Sequence, residues 1–264
     1  MADAPAPMVD FKACFAEFIA MMFFVYIGCG SATFNAGSSG WVLAVALQFG
    51  VGIMVLAYAT AHISGGQINC AVTFALCITG DLPWAQGGAN FVCQMIGSMV
   101  GAALLSITAH GNGDLTRGQE DGDKIGGLGC NGVGDTYTQG GAFVAEFMMT
   151  ALLVYVVLQT AVNKKSLGQP NIAPIPIGFA VFLAHVVLIP IDGCSINPTR
   201  SFGPAVVASA MGSTNVWDDM WVFWAAPLLG AATVAVMTIG AKRAYEPTEE
   251  VVAESELPAK DTSV

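Results

Sequence analysis

Gly65-Gly66-Gln67-Ile68-Asn69-Cys70-Ala71 and Gly193-Cys194-Ser195-Ile196-Asn197-Pro198-Thr199 are two versions of one phrase, and their relation decides the fold. In each, a glycine stands four residues before an asparagine, and the asparagine opens a short apolar stretch, about 69–79 and about 197–209. The parallel continues upstream. Ala16-Glu17-Phe18 and Ala145-Glu146-Phe147 begin two long apolar runs, and Asn69 follows Glu17 by 52 positions where Asn197 follows Glu146 by 51. The chain repeats itself at half its length.

Around this phrase lie six runs long enough to cross a bilayer, which takes about 20 apolar residues: roughly 13–34, 41–61, 89–109, 140–162, 172–190 and 219–241. The two short stretches reach little more than halfway across at about 1.5 Å per residue. Backbone that breaks at membrane depth must line a cavity or be buried in protein, so both read as re-entrant half-helices. Three spans plus a half-span, occurring twice, put an odd number of crossings in each half. The halves are therefore inverted, and the half-helices meet near the midplane from opposite faces. Asparagine is a strong N-cap, and proline suits the first helical position. Asn69 and Asn197 would thus aim two positive helix ends at one point.

Composition agrees. Of 264 residues 55% are hydrophobic and 11% charged, against about 25% charged in an ordinary soluble domain. No Asp, Glu, Lys or Arg occurs between Glu17 and Asp81. A soluble enzyme, a nucleic-acid binder and a disordered chain are excluded, leaving an all-α polytopic membrane protein. The net charge of −10 comes largely from solvated segments: six acids lie in the tail from Glu246 to Asp261, and five in the loop from Asp114 to Asp135. The apolar run after Met1–Asp10 has no basic lead-in and reads as a first span. Lys12, Lys164, Lys165, Lys242 and Arg243 flank spans on the side that holds both termini, and only Arg117 and Lys124 lie opposite. The positive-inside rule puts both termini in the cytoplasm. The expected organisation is a cytoplasmic N-terminus at 1–12, a first repeat over 13–110, an extracellular loop at 111–138, a second repeat over 139–243 and a disordered acidic tail at 244–264. The seven cysteines are scattered without a C-x-x-C pair and mostly read as packing residues. Cys130 in the outer loop is a candidate for a cross-link between subunits. Gly97-Ser98-Met99-Val100-Gly101 marks a close helix approach, within or between subunits.

The stretches from His62 to Thr73 and from Gly193 to Ala205 resemble the two signature boxes of the aquaporin (major intrinsic protein) family. The resemblance covers about residues 11–243. It implies a right-handed bundle of six spans and two half-helices, one pore per subunit and a homotetramer in a plasma membrane. It also implies that the amides of Asn69 and Asn197 donate to the permeating molecule, with Cys70 and Pro198 beside them at the pore centre. Cys70 departs from the family's proline, and Thr199 from its alanine. Counting from each asparagine places Phe49, His185, Cys194 and Arg200 at the family's selectivity constriction, a set similar to that of water-specific members. Gln67, Gly193 and Ser195 are further candidates to line the pore. Arg200 is the one cation within the membrane runs, and such a charge is functional by default.

Glu17 and Glu146 read either as proton-relay acids or, as the resemblance implies, as braces for the pore loops. The leading function is a passive water channel excluding protons and ions, with water and the lipid bilayer as partners and no cofactor, metal or nucleic acid. Mercurials are expected to block it at Cys194. Broader passage of hydrogen peroxide, ammonia, urea or glycerol is the alternative within the class. A low-conductance structural membrane protein is the alternative outside it. An intramembrane enzyme has little support, since no nucleophile–base spacing accompanies the buried Glu, His and Arg.

Overall fold

The computed structural model describes residues 8–109, 127–163 and 170–245. Among these residues eight α-helices carry the fold: α1 Phe11–Asn35, α2 Trp41–Ser64, α3 Cys70–Thr79, α4 Trp84–Ala109, α5 Gln139–Val157, α6 Pro174–Asp192, α7 Pro198–Ala210 and α8 Met220–Tyr245. A π-helical turn, Leu158–Val162, extends α5. Among the described residues six helices are long and apolar enough to cross a membrane, and α3 and α7 are short.

The polarity of the bundle is inverted relative to a soluble protein. Leu43, Leu47, Val51 and Val55 stand exposed at four-residue intervals along α2, while Asn90, Gln94, Ser98, Glu146 and Thr150 are fully buried. Lipid accepts the apolar exterior, and the interior holds the groups that lipid would reject.

Packing follows the repeat. α1 packs on α4 and α2, just as α5 packs on α8 and α6. Each half-helix crosses to the other repeat, α3 against α8 and α7 against α4. Without a hydrophobic drive between helices in lipid, small residues set these approaches. A Cβ on Gly97 would lie 2.4 Å from the Phe18 carbonyl oxygen, and one on Gly101 2.3 Å from that of Met22. The Gly97–Gly101 run therefore seats α4 on α1 within the subunit. α2 and α6 meet at Gly50 and Gly178, each nineteen residues before its repeat's asparagine. A Cβ on Gly178 would sit 2.5 Å from the Gly50 oxygen, and one on Gly50 2.8 Å from the Gly178 oxygen. Equivalent residues touching each other mark the twofold axis that relates the halves.

The segment 111–138 was expected to be a solvated outer loop, and a short stretch of its second half is not. Residues 110–126, which hold most of its charge, lie outside the described residues. From Leu128 to Val133 the chain is largely buried. Gly129 presses so closely on α1 that a Cβ there would meet the Cys29 backbone at 2.9 Å. The physical reason is composition: residues 127–134 are uncharged and rich in glycine, so they can enter the bundle. Cys130 is 3% exposed inside this segment, where burial pushes its thiol up to about 12. The acidic tail, most of the expected cytoplasmic N-terminus and Lys164–Lys165 also fall outside the described residues.

Candidate functional site

Between α2 and α3, and again between α6 and α7, the chain leaves the helix and crosses the protein interior as open loop. Gly65 and Gly193 cap the preceding helices with φ of 90° and 81°. Ile68 and Ile196 both adopt positive φ, 52° and 44°. That region strains β-branched residues, at roughly 1–2 kcal/mol each.

Two buried glutamates hold these loops. The Glu17 carboxylate accepts from the backbone N–H of Gln67 at 2.9 Å and Ile68 at 2.8 Å, from Ser64 Oγ at 2.6 Å and from Gln94 Nε2 at 2.8 Å. Glu146 accepts from the N–H of Ser195 and Ile196, both at 2.6 Å. An ionised carboxylate can take several donors at once, which suits loop amides that no helix satisfies.

The loops deliver two asparagines to the centre. Asn69 caps α3 by accepting from the Ala71 N–H at 2.8 Å. Asn197 caps α7, accepting from Thr199 Oγ1 at 2.5 Å and the Arg200 N–H at 3.4 Å. Each side-chain amide then crosses to the other repeat: Asn69 Nδ2 donates to the Ile196 carbonyl and Asn197 Nδ2 to the Ile68 carbonyl, both at 2.8 Å. An amide has two N–H donors, so one on each asparagine stays available. Pro198 occupies the first position of α7, and Cys70 the same place in α3. The two departures from the family pattern, Cys70 and Thr199, are neighbours in space.

On the side of the asparagines toward Phe11 and Tyr245 opens a cavity of about 230 Å³. Phe24, Ile53, Val72, Leu153 and Val181 form apolar walls, and Gly65, Gly66, Gln67, Asn69, Ser195 and Asn197 a polar line. Gln67 is tied in place, donating to the Ser64 carbonyl at 2.9 Å and accepting from Thr73 Oγ1 at 2.8 Å. Ser195 pairs with Ser201 at 2.6 Å.

On the other side Phe49, His185, Cys194 and Arg200 are all 0–2% exposed. Phe49 and His185 stack with centroids 4.2 Å apart, and the Arg200 guanidinium carbon lies 5.0 Å from the Phe49 centroid. His185 Nδ1 is 2.8 Å from the Val181 carbonyl. A carbonyl only accepts, so Nδ1 carries a hydrogen, and Nε2 of a neutral ring is an acceptor. Among the described residues, His185 Nε2 and Arg200 Nε have no partner.

Sequence reasoning missed what holds Arg200. Its Nη1 donates to the Gly129 carbonyl at 2.8 Å and to Asn131 Oδ1 at 2.7 Å, and Ser201 Oγ also donates to Asn131 at 2.8 Å. The signal available was the one uncharged asparagine in the glycine-rich stretch 125–134. Asp192, buried behind Cys194, and Asp219, which accepts from the Val133 N–H at 2.9 Å, were likewise missed.

Residues 6–238 match the family model of the major intrinsic proteins. Over 252 residues the chain is 39% identical to the probable aquaporin PIP2-8 of Arabidopsis thaliana, covering 88% of this chain and 84% of that one. Over 249 residues it is also 39% identical to a PIP-type aquaporin of Atriplex canescens, covering 88% and 83%. Among solved structures, the aquaglyceroporin from Plasmodium falciparum aligns with a TM-score of 0.74 over 86% of this chain and 94% of that chain. At 18% identity that likeness is one of fold. With the inverted repeat, the crossed asparagines and these matches together, the chain belongs to the major intrinsic protein family, the aquaporins, and is a multi-pass membrane protein of a channel family rather than an enzyme.

Proposed function

We propose that the chain is a passive, water-selective channel. The observation that carries this reading is the crossed pair Asn69–Asn197, which leaves two N–H donors at the junction of a cavity and a narrow collar. A water there that accepts from both asparagines spends its lone pairs at the centre and turns both hydrogens outward. A chain of waters so arranged cannot pass a proton through. The positive ends of α3 and α7 and the Arg200 charge add a barrier to cations.

The collar of Phe49, His185, Cys194 and Arg200 supports selection by size. Phe49 and His185 are stacked in contact, so little width remains, and the partnerless His185 Nε2 and Arg200 Nε offer an acceptor and a donor. A water replaces its lost bonds there, while a polyol is too wide. Gln67, Gly193 and Ser195 line the approach, and Glu17 and Glu146 brace the loops instead of relaying protons. In our reading both termini are cytoplasmic, four subunits assemble in a plasma membrane, and each has its own pore.

The test is stopped-flow shrinkage of proteoliposomes in an impermeant osmolyte, beside uptake of labelled glycerol. Water flux well above that of empty vesicles without glycerol uptake is expected. Glycerol flux comparable to water defeats the selectivity, and permeability no higher than that of empty vesicles defeats the channel.

A further inference from the structure

Ser64 and Asp192 occupy equivalent positions, each five residues before its repeat's asparagine. Ser64 does two things there. Its hydroxyl donates to Glu17 Oε1 at 2.6 Å and accepts from the Gly66 N–H at 3.1 Å. Asp192 repeats the second: its Oδ1 accepts from the N–H of Cys194, the counterpart of Gly66, at 2.9 Å. The Asp192 carboxyl stands in the place of the first, beside the Glu146 carboxyl, and its Oδ2 is the oxygen left over. It is buried, and among the described residues no N–H or O–H faces it.

A hydroxyl donates and accepts at once, whereas an ionised carboxylate only accepts. Two ionised carboxylates facing each other, shielded from water, would repel and leave that oxygen orphaned. One proton between them removes both costs. We propose that Asp192 is a protonated carboxylic acid that donates to Glu146, and that this proton holds the loop carrying Cys194 in its conducting shape.

The proton resides on Asp192 because Glu146 is the better-supplied anion: both of its oxygens already accept backbone N–H groups at 2.6 Å. The charged and titratable groups facing Asp192 are Glu146 on α5, Arg200 on α7 and the Cys194 thiol of the adjoining loop. From the folded-in segment, the Gly132 N–H and Asn131 Nδ2 reach only its backbone carbonyl, each at 3.2 Å. A single anion, Glu146, then balances Arg200. Asp192 is thus a positioning residue: it acts on the pore through Glu146 and Cys194. Loss of its proton sets two negative charges against each other, and the repulsion drives the Asp192 side chain off the Cys194 N–H, whose residue is already at φ 58°.

The conduction arm of this inference rests on the proposed water channel, so the test has a second readout. Full-length protein in proteoliposomes is followed by stopped-flow from neutral to alkaline pH, for wild type, Asp192→Asn and Asp192→Ser. Both variants restore a donor that cannot ionise. Wild-type permeability is expected to fall about threefold or more at alkaline pH, the size of one lost buried hydrogen bond, and the variants to stay level. Infrared spectroscopy of the purified protein at neutral pH is expected to show a protonated carboxyl stretch that Asp192→Asn removes. A spectrum without that band, or a band untouched by the substitution, overturns the protonated acid. Variants that lose permeability like wild type, or a wild-type profile as flat as theirs, overturn its hold on the loop. If wild-type vesicles conduct no water at any pH, the channel reading fails, and the infrared band still decides the proton.

Discussion

The entrances to α3 and α7 have nearly the same backbone and opposite chemical characters. Both loops pass through positive φ at equivalent isoleucines, both hang from a buried glutamate, and both end on a capping asparagine. Around Glu17 the partners are neutral: Ser64, Gln94 and backbone amides. Around Glu146 stand Asp192 and Arg200, with Asn131 folded in to hold the arginine. The difference teaches a division of labour. In the proposed channel, the repeated features would build the passage and the unrepeated ones set what passes.

The sharpest way to break the comparison is to remove the braces. Glu17→Ala leaves four donors without an acceptor, at about 1–3 kcal/mol each, and should abolish recovery of folded protein. Glu146→Ala should do the same and also strip Arg200 of its counter-charge. Yield of monodisperse protein in detergent measures both, and a Glu146→Ala protein as stable as wild type would contradict the shared bracing role. Next comes selectivity. His185→Ala combined with Arg200→Ala should admit glycerol at a rate near that of water, and unchanged exclusion would misplace the collar. No comparable change in the first loop should do this.

A third prediction concerns the axis. Gly178→Ala drives a Cβ to 2.5 Å from the Gly50 oxygen and should cost about 1–3 kcal/mol. Gly88→Ala, on α4 with open space around it, should be neutral or stabilising by up to about 1 kcal/mol. Thermal denaturation in detergent compares them. Smaller still is a chemical probe: a mercurial should reduce water flux in wild type and spare Cys194→Ser. A block that persists points to another thiol, Cys70 first. Smallest of all, Cys70→Pro should change water permeability less than about twofold, since the first helical position does not need its N–H.

Much of the passage was legible because it depends on short-range rules. Asn69 and Asn197 announce themselves as caps before short apolar stretches, and the spacing to Glu17 and Glu146 exposes the repeat. The helix α3 begins at Cys70 and α7 at Pro198, one residue after each asparagine. What stayed hidden was long-range. Asn131 lies 69 positions from Arg200 in a segment whose neighbours are acidic, and nothing local says that it folds inward. Asp192 reads as an ordinary helix-end acid until the fold lays it beside Glu146. The tautomer of His185 likewise depends on its Val181 contact, which only coordinates show.

The central claim is tested most directly by an experimental density map sharp enough to show ordered water in the passage. The account predicts a single file running from the cavity to the collar, with one water within hydrogen-bonding distance of both Asn69 Nδ2 and Asn197 Nδ2. A dry junction, or asparagines pointing away from each other, would contradict it.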